Sequence, residues 1–138
     1  MAIHRDTEYA LICLTHMAKE DKVYSARTLA GSCRIPYELL CKVLQRLARV
    51  GLIESVRGPR GGYRFIRNPQ DIPVSEVVEA MHAKQRIVPC IDGGECERSE
   101  ICSVRGGVMR IQSMWDELVG SITLAEFIAD KTPSPEGV

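Results

Sequence analysis

The residues that most constrain the fold of this chain lie between Ser25 and Gly51, where two helical segments are separated by a brief turn. Ser25 is a favoured N-cap residue, and the short helix that follows it is expected to end near Gly31. Pro36 suits the first turn of a second helix, and Gly51 occupies the usual position after its last residue. Five apolar residues of the second helix recur at helical spacing and are predicted to face the core: Leu39, Leu40, Val43, Leu44 and Leu47. A short helix, a tight turn and a second helix with a basic outer face predict a helix-turn-helix.

A β-hairpin is predicted directly after the second helix. Residues 52–57 and 63–66 have the composition of two strands, and the glycine-rich run 58–62 between them is typical of a tight turn. That run is not a phosphate-binding loop, because no helix opens after it and no Gly-Lys-Ser/Thr sequence follows. A hairpin with arginines about its tip, placed after a helix-turn-helix, is the wing of a winged helix. A solvated hairpin on a helical domain is the alternative.

Positive charge is concentrated in the half of the chain that carries this pattern. The 138 residues have a formal net charge of zero, yet residues 1–67 hold twelve Lys and Arg against six Asp and Glu, and residues 68–138 hold the reverse. Between Lys42 and Arg67 the only acid is Glu54. This asymmetry favours a nucleic-acid-binding half over scattered surface charge, so the predicted partner is double-stranded DNA. Six residues of the second helix and the wing are predicted to contact it: Tyr37, Lys42, Arg46, Arg57, Arg60 and Arg64.

The second half of the chain contains a helix predicted over about 74–82 and, further on, a longer helical segment. In that longer segment apolar residues recur at alternating intervals of four and three, which is an a/d seam. The seam consists of Val104, Val108, Ile111, Trp115, Leu118 and Ile122. Its regularity favours pairing with the same helix of a second chain, and packing against its own domain is the alternative. Thr123 and Glu126 then form a predicted capping box that opens a last short helix.

These segments together predict a mainly α fold with a small β-hairpin (α+β). The expected architecture is a winged helix-turn-helix domain at 1–70, then a connector helix and cysteine loop at 71–102. A dimerisation helix and a short final helix follow at 103–131, and 132–138 is expected to be a disordered tail.

Several classes of protein are disfavoured by the same sequence. No apolar run approaches the ~20 residues of a membrane span, and the N-terminus lacks a signal-peptide pattern. Six cysteines without an export signal favour a reducing compartment, so we expect no membrane partner and a cytoplasmic location. An enzyme is not expected, because no paired carboxylates, Cys–His pair or nucleophile elbow occurs at a recognisable spacing.

Three evenly spaced cysteines, Cys90, Cys96 and Cys102, lie in a segment of glycines and charges without apolar periodicity. Burial cannot hold such a segment in one shape, and thiolates brought close together repel unless a metal neutralises them. The spacing fits structural zinc poorly, since zinc favours closer cysteine pairs and needs a fourth ligand, and it is not a Cys-x-x-Cys redox pair. An iron–sulfur cluster accepts wider spacing and is the favoured cofactor. Zinc, a thiol–disulfide switch and three uncommitted thiols are the alternatives.

A winged helix, a three-cysteine segment and a dimerisation helix, in this order, resemble the IscR/NsrR family of bacterial transcriptional regulators. The resemblance covers nearly the whole chain, from Thr-Glu-Tyr-Ala-Leu at 7–11 to Leu-Ala-Glu-Phe at 124–127. Its most specific parts are the glycine- and arginine-rich run within 51–63 and the cysteine spacing. The family implies small dimeric winged-helix proteins, several of which sense through an iron–sulfur cluster. It implies that the three cysteines ligate the cluster, and that Arg57, Arg60 and the second helix of the pair meet DNA.

The fourth cluster ligand separates two branches of this family. IscR-type proteins place a histidine three residues after the last cysteine, where this chain has Arg105. NsrR-type proteins use a carboxylate near the start of the first helix, supplied by the other subunit, and Glu8 stands where they carry Asp. The resemblance thus implies Glu8 as the fourth ligand, although the helix dipole alone also favours an acid there. His4 and His82 are weaker candidates, and the missing histidine favours a [4Fe–4S] over a [2Fe–2S] cluster.

The sequence therefore predicts a DNA-binding transcriptional regulator, acting as a homodimer. Its operator affinity is expected to follow the state of an iron–sulfur cluster that senses redox conditions, nitric oxide or iron status. One alternative is a cluster-free regulator that uses its thiols as a switch. Another, from a different class, is a small iron–sulfur electron carrier, which would have no use for a basic helix and an arginine-tipped wing.

Overall fold

The computed structural model describes residues 3–82, 86–88 and 96–130. Its described part is mainly helical with one two-stranded antiparallel sheet, which confirms the predicted fold class. The elements in chain order are α1 (Arg5–Met17), α2 (Ala26–Cys33), α3 (Tyr37–Arg49), β1 (Ile53–Val56), β2 (Gly62–Phe65), a 3-10 turn (Pro69–Asp71), α4 (Val74–Met81), α5 (Arg105–Ser121) and α6 (Leu124–Ala129). Two predictions, the ligand Cys90 and the tail at 132–138, lie outside the described residues.

α2 and α3 form the predicted helix-turn-helix, but α2 ends later than expected. The Ser25 hydroxyl caps α2 by accepting a backbone hydrogen bond at 3.1 Å, as its residue type predicts. The helix was expected to stop near Gly31, and this was wrong, because it continues to Cys33. Arg34 ends the helix instead by adopting the left-handed conformation, with φ of 54°. A non-glycine stop of this kind leaves no signal in the local sequence.

α3 places most of its predicted apolar face in the core. Leu40, Val43, Leu44 and Leu47 are buried. Leu39 was expected to join them, and this was wrong, because 44% of it is exposed. It lies about 100° around the helix from Leu40, at the edge of the apolar face, where it lines an open cavity beside α1. Gly51 follows α3 with a φ of 80°, as expected of a residue placed just after a helix.

The predicted wing is formed by β1 and β2, and the start of β2, next to the turn of the hairpin, is tied to the residues before α2. Ile53 pairs with Phe65 at one end of the hairpin and Val56 with Gly62 at the other. Next to this hairpin, the backbones of Tyr24 and Tyr63 exchange two hydrogen bonds of 2.8 Å. Glycine is required at position 62, since a Cβ there would lie 2.1 Å from the Tyr24 carbonyl oxygen.

A single hydrophobic cluster joins α1, the helix-turn-helix, the hairpin and the later helices. Leu14, Met17 and Leu29 lie at its centre together with the buried leucines of α3. The cluster extends to Val77 in α4 and Leu124 in α6. α6 starts with the predicted Thr123–Glu126 capping box. Its Leu124 is fully buried, so α6 packs on the same core as the winged helix. No helix in the described ranges is long and apolar enough to span a bilayer.

Candidate DNA-binding face and cysteine segment

The start of α3 presents an aromatic and cationic surface. Tyr37 is 44% exposed, and the Arg27 guanidinium carbon of α2 lies 5.0 Å from the centre of its ring. A hydrogen bond with the Cys41 thiol, one turn further along α3, raises the pKa of the Tyr37 hydroxyl. Arg27 was absent from the predicted contacts, since only the packing of α2 on α3 brings it to this face. Lys42 is exposed on α3 at the rim of the cavity beside α1.

The four predicted arginine contacts fall into two groups. Arg57 and Arg60 are exposed on the wing and make no ion pair with any described residue. Arg64 instead donates two hydrogen bonds to the Asp21 carboxylate, at 2.9 and 3.1 Å. Arg46 was expected to point outward from α3, but its guanidinium is engaged by α1 and by the last turn of α4. Two arginines are thus available for phosphates, and two have partners within the chain.

The cysteine segment is described in part. Cys96 is exposed and Cys102 is half-buried, and both are free thiols on the turn that leads into α5. Within the described ranges, no three His, Cys, Asp or Glu side chains are grouped as a metal site. Of the four predicted ligands, Cys96, Cys102 and Glu8 lie in the described ranges, and Glu8 is expected to act from a second subunit.

The other cysteines are part of the fold. Cys13 is fully buried in α1, as its helical position predicts, and its thiol contacts that of half-buried Cys33 in α2. Burial raises the pKa of Cys13 far above that of an ordinary thiol, with the neighbouring Cys33 adding to the effect. Burial also raises the pKa of Cys33, although less strongly. Both groups are therefore poor sources of thiolate.

Glu8 is exposed in the first turns of α1, beside an open apolar groove. The groove has a volume of about 320 Å³ and lies between α1 and α6. Its lining consists of Ile3, Glu8, Leu11, Ile12, Thr15 and Phe127. Glu8 can therefore be reached from outside its own chain. His4 and His82 lie elsewhere, with their ring centres 4.5 Å apart and the rings tilted by 47°, and His82 is bound to Asp6.

The predicted seam of α5 is largely uncovered in the single chain. Val104, Ile111 and Leu118 are 50–62% exposed, while Val108, Trp115 and Ile122 are half-buried. A different face of the helix, with buried Gln112 and Val119, is turned inward. Gln112 accepts a hydrogen bond from the Ile87 N–H at 2.7 Å and so holds the chain that precedes the cysteine segment.

A helix-turn-helix with an arginine-bearing wing, on a mainly helical fold, defines the class of winged-helix DNA-binding proteins. The family follows from comparison with known proteins. The model of the Rrf2 family, described as an iron-dependent transcriptional regulator, matches residues 3–130. The chain belongs to the Rrf2 family and is a transcriptional regulator.

Individual relatives agree with this assignment. The chain is 26% identical to the HTH-type transcriptional regulator NsrR of Shouchella clausii over 129 residues, which cover 91% of this chain and 87% of that protein. Among solved structures, it resembles CymR, the global cysteine regulator of B. subtilis, with a TM-score of 0.75 and 20% identity over 96% of this chain and 99% of CymR. It also resembles T. potens IscR, with a TM-score of 0.72 and 19% identity over 97% and 94% of the two chains.

Proposed function

We propose that this Rrf2-family regulator binds operator DNA as a cytoplasmic homodimer, with an affinity set by an iron–sulfur cluster on Cys90, Cys96 and Cys102. The observation that carries the proposal is the placement of Cys96 and Cys102. Unlike Cys13, they lie outside the core as free thiols. The turn that bears them runs directly into α5. A cluster bound there would fix the base of the helix through which two copies are expected to pair.

The donor set fits a cluster better than a closed zinc site. Two accessible thiols, a third cysteine at the same spacing and an exposed carboxylate supply soft and hard ligands together. When bound, the cluster would supply an iron centre that reacts with oxidants or nitric oxide and is lost when iron is scarce. A carboxylate ligand would leave one iron more labile than its neighbours. The absence of a histidine at position 105 favours [4Fe–4S] over [2Fe–2S].

DNA binding would use α3 and the wing of both copies. Tyr37 and Lys42 are exposed on α3, and Arg57 and Arg60 are exposed on the wing. Two recognition helices must lie about 34–36 Å apart to enter successive major grooves. Fixing or freeing the cysteine segment at the base of the paired α5 helices would change that separation, and with it the affinity.

The test is purification without oxygen, with a spectrum and with matched iron and sulfide counts per chain. We expect brown protein whose affinity for a duplex selected from a random library changes when the cluster is removed. Cys96→Ala should abolish stable cluster assembly, whereas Cys41→Ala, a half-buried thiol of α3, should leave the iron count unchanged. Colourless protein that holds no iron after anaerobic reconstitution would contradict the proposal.

A cluster-free thiol switch is the second candidate. It is favoured by the free thiols of Cys96 and Cys102 and by the likeness of the fold to CymR, which has been solved in an oxidized form from Staphylococcus aureus. In that case Cys90, Cys96 or Cys102 would form disulfides under oxidation. The two functions predict different outcomes in one experiment. A switch gives colourless protein whose DNA affinity changes with added oxidant and returns with a thiol reductant, and peptide mapping would then find a new disulfide.

A further inference from the structure

Three separate elements meet at the carboxylate of Asp6. Asp6 lies in the first turn of α1, and its Oδ1 is 2.6 Å from Nε2 of His82, the residue that follows α4. Its Oδ2 is 3.3 Å from Nη1 of Arg46 in α3. One side chain of α1 therefore holds both the recognition helix and the end of α4.

Arg46 makes this connection stronger by binding α4 directly. Its Nη1 donates a hydrogen bond of 3.0 Å to the carbonyl oxygen of Met81, the last residue of α4. Carbonyls in the last turn of a helix have no partner inside the helix, so this donor completes the end of α4. Arg46, expected to face DNA, instead joins α3 to the point where the chain leaves α4 for the cysteine segment.

These polar contacts bridge a place where apolar packing is incomplete. A cavity of about 420 Å³ separates α1 from α3 beside the Asp6 contacts. Leu39, Lys42 and Tyr9 line it together with Asp6 and Arg46. The exposed side of Leu39 faces this space and not a packed neighbour. On this side of α3, hydrogen bonds and charge connect the elements across the cavity, and such contacts have discrete made and broken states.

The charge on Asp6 is stabilised where it stands. Burial by itself would raise the pKa of this carboxyl, but the hydrogen bond and charge of His82, with the Thr7 N–H, outweigh it and lower the pKa. Asp6 is therefore a carboxylate at neutral pH, able to hold two donors at once.

We propose that Asp6 is a positioning residue, which couples the end of α4, and through it the cysteine segment, to the recognition helix by way of Arg46. The inference rests on the proposed function, because it names the route by which cluster state reaches the DNA-binding face. A shift of His82 at the end of α4 alters its contact with Asp6. The Asp6–Arg46 pair then transmits that change to α3.

The test measures coupling and not affinity alone. For each full-length variant, the dissociation constant for a duplex selected from a random library is measured with the cluster bound and after its removal. The coupling ratio is the ratio of these two dissociation constants. Asp6→Asn keeps the size of the side chain but removes its charge, and should move the ratio toward one by roughly 2- to 30-fold. His82→Ala should do the same from the other side of the contact. The double variant should go little further than either single one, because both break the same link.

Glu76→Gln is the matched control. Glu76 also ties α4 to the winged helix, through two contacts of 2.8 Å with Arg67, but at the first turn of α4 and away from the cysteine segment. Its ratio should equal that of the unmodified protein. A purely structural role for Asp6 would weaken binding in both states equally and leave the ratio unchanged, which would overturn the inference, as would loss of coupling in Glu76→Gln. A ratio of one in the unmodified protein would overturn the proposed function itself and this inference with it.

Discussion

At the scale of single residues, the arginines of the wing differ in what surrounds them. Arg57 and Arg60 are exposed without an ion pair in the described ranges, whereas both ends of the Arg64 guanidinium are held by Asp21. An exposed ion pair of this kind contributes little stability, so Asp21 can yield Arg64 to a phosphate, but only after that pair has separated. From the sequence alone, each of these three arginines was predicted to contact DNA.

We therefore predict a larger effect on DNA binding from Arg57→Ala than from Arg64→Ala. Each phosphate contact contributes about 0.9 to the slope of log affinity against log salt, counted in both copies of the dimer. Arg57→Ala should lower that slope and weaken binding to all sequences, and Arg64→Ala should lower it less. Titrations of one duplex at several salt concentrations measure both slopes. If Arg57→Ala and the unmodified protein have equal slopes, Arg57 makes no phosphate contact, which would contradict the placement of the wing on DNA.

Glu8 is the second residue whose surroundings suggest an experiment. Glu8→Ala should leave fold and dimer intact, since an exposed acid near a helix N-terminus contributes only about 0.3–1 kcal/mol. Reconstituted without oxygen, this variant should have an altered visible spectrum and lose iron faster, and Glu8→Cys should slow that loss. Glu20→Ala, at an exposed acid beyond α1, is the control. If Glu8→Ala matches it in spectrum and in the rate of cluster loss, Glu8 is not a ligand.

At the scale of elements, the wing depends on a close approach between the start of β2, next to its turn, and the residues before α2. Gly62→Ala would place a Cβ 2.1 Å from the Tyr24 carbonyl oxygen. The backbone of the wing must then move, at a cost of roughly 1–3 kcal/mol. Gly31→Ala is the contrasting variant, because a Cβ inside α2 meets nothing within 4 Å. It should stabilise the protein by roughly 0.5–1 kcal/mol.

Thermal unfolding and DNA titration together check this pair of variants. Gly62→Ala should lower both the melting temperature and the affinity, since a displaced wing no longer follows the DNA backbone. Gly31→Ala should raise the melting temperature with affinity unchanged. A Gly62→Ala protein as stable as the unmodified one would mean that the hairpin adapts freely and that Tyr24 does not fix the start of β2.

At the scale of the whole molecule, the exposed seam of α5 is the surface on which we propose that two copies of the chain pair. Ile111 is 56% exposed in the middle of the seam. Ile111→Asp would bury an unpaired charge between two copies, at a cost of several kcal/mol, and should give monomers that bind DNA more weakly because only one half-site is held. Ser113→Asp adds the same charge outside the seam and should stay dimeric. Light scattering measures the oligomeric state of both variants. If Ile111→Asp is still a dimer, the interface lies elsewhere on the chain.

The sequence by itself determined the order and type of the elements, because each has a local physical cause. A Ser25 cap, a glycine after α3, strand residues about a glycine-rich turn and the Thr123–Glu126 capping box act over a few residues of chain. For the three-cysteine segment the sequence gives a prediction of its cofactor, because the spacing of the thiols disfavours a zinc knuckle and a Cys-x-x-Cys redox pair. That prediction stays a prediction.

Only the tertiary structure decided which residues are partnered and which are available. Arg46 looked like an outward-facing base on α3, yet it is bound by Asp6, forty residues earlier in the chain, and by the end of α4. Arg27 reaches Tyr37 because α2 packs across α3, and Leu39 is exposed because a cavity opens beside α1. Helical periodicity determines the direction in which a side chain points around the axis of its helix. What it meets there depends on elements distant in sequence, and those contacts form only when the chain has folded.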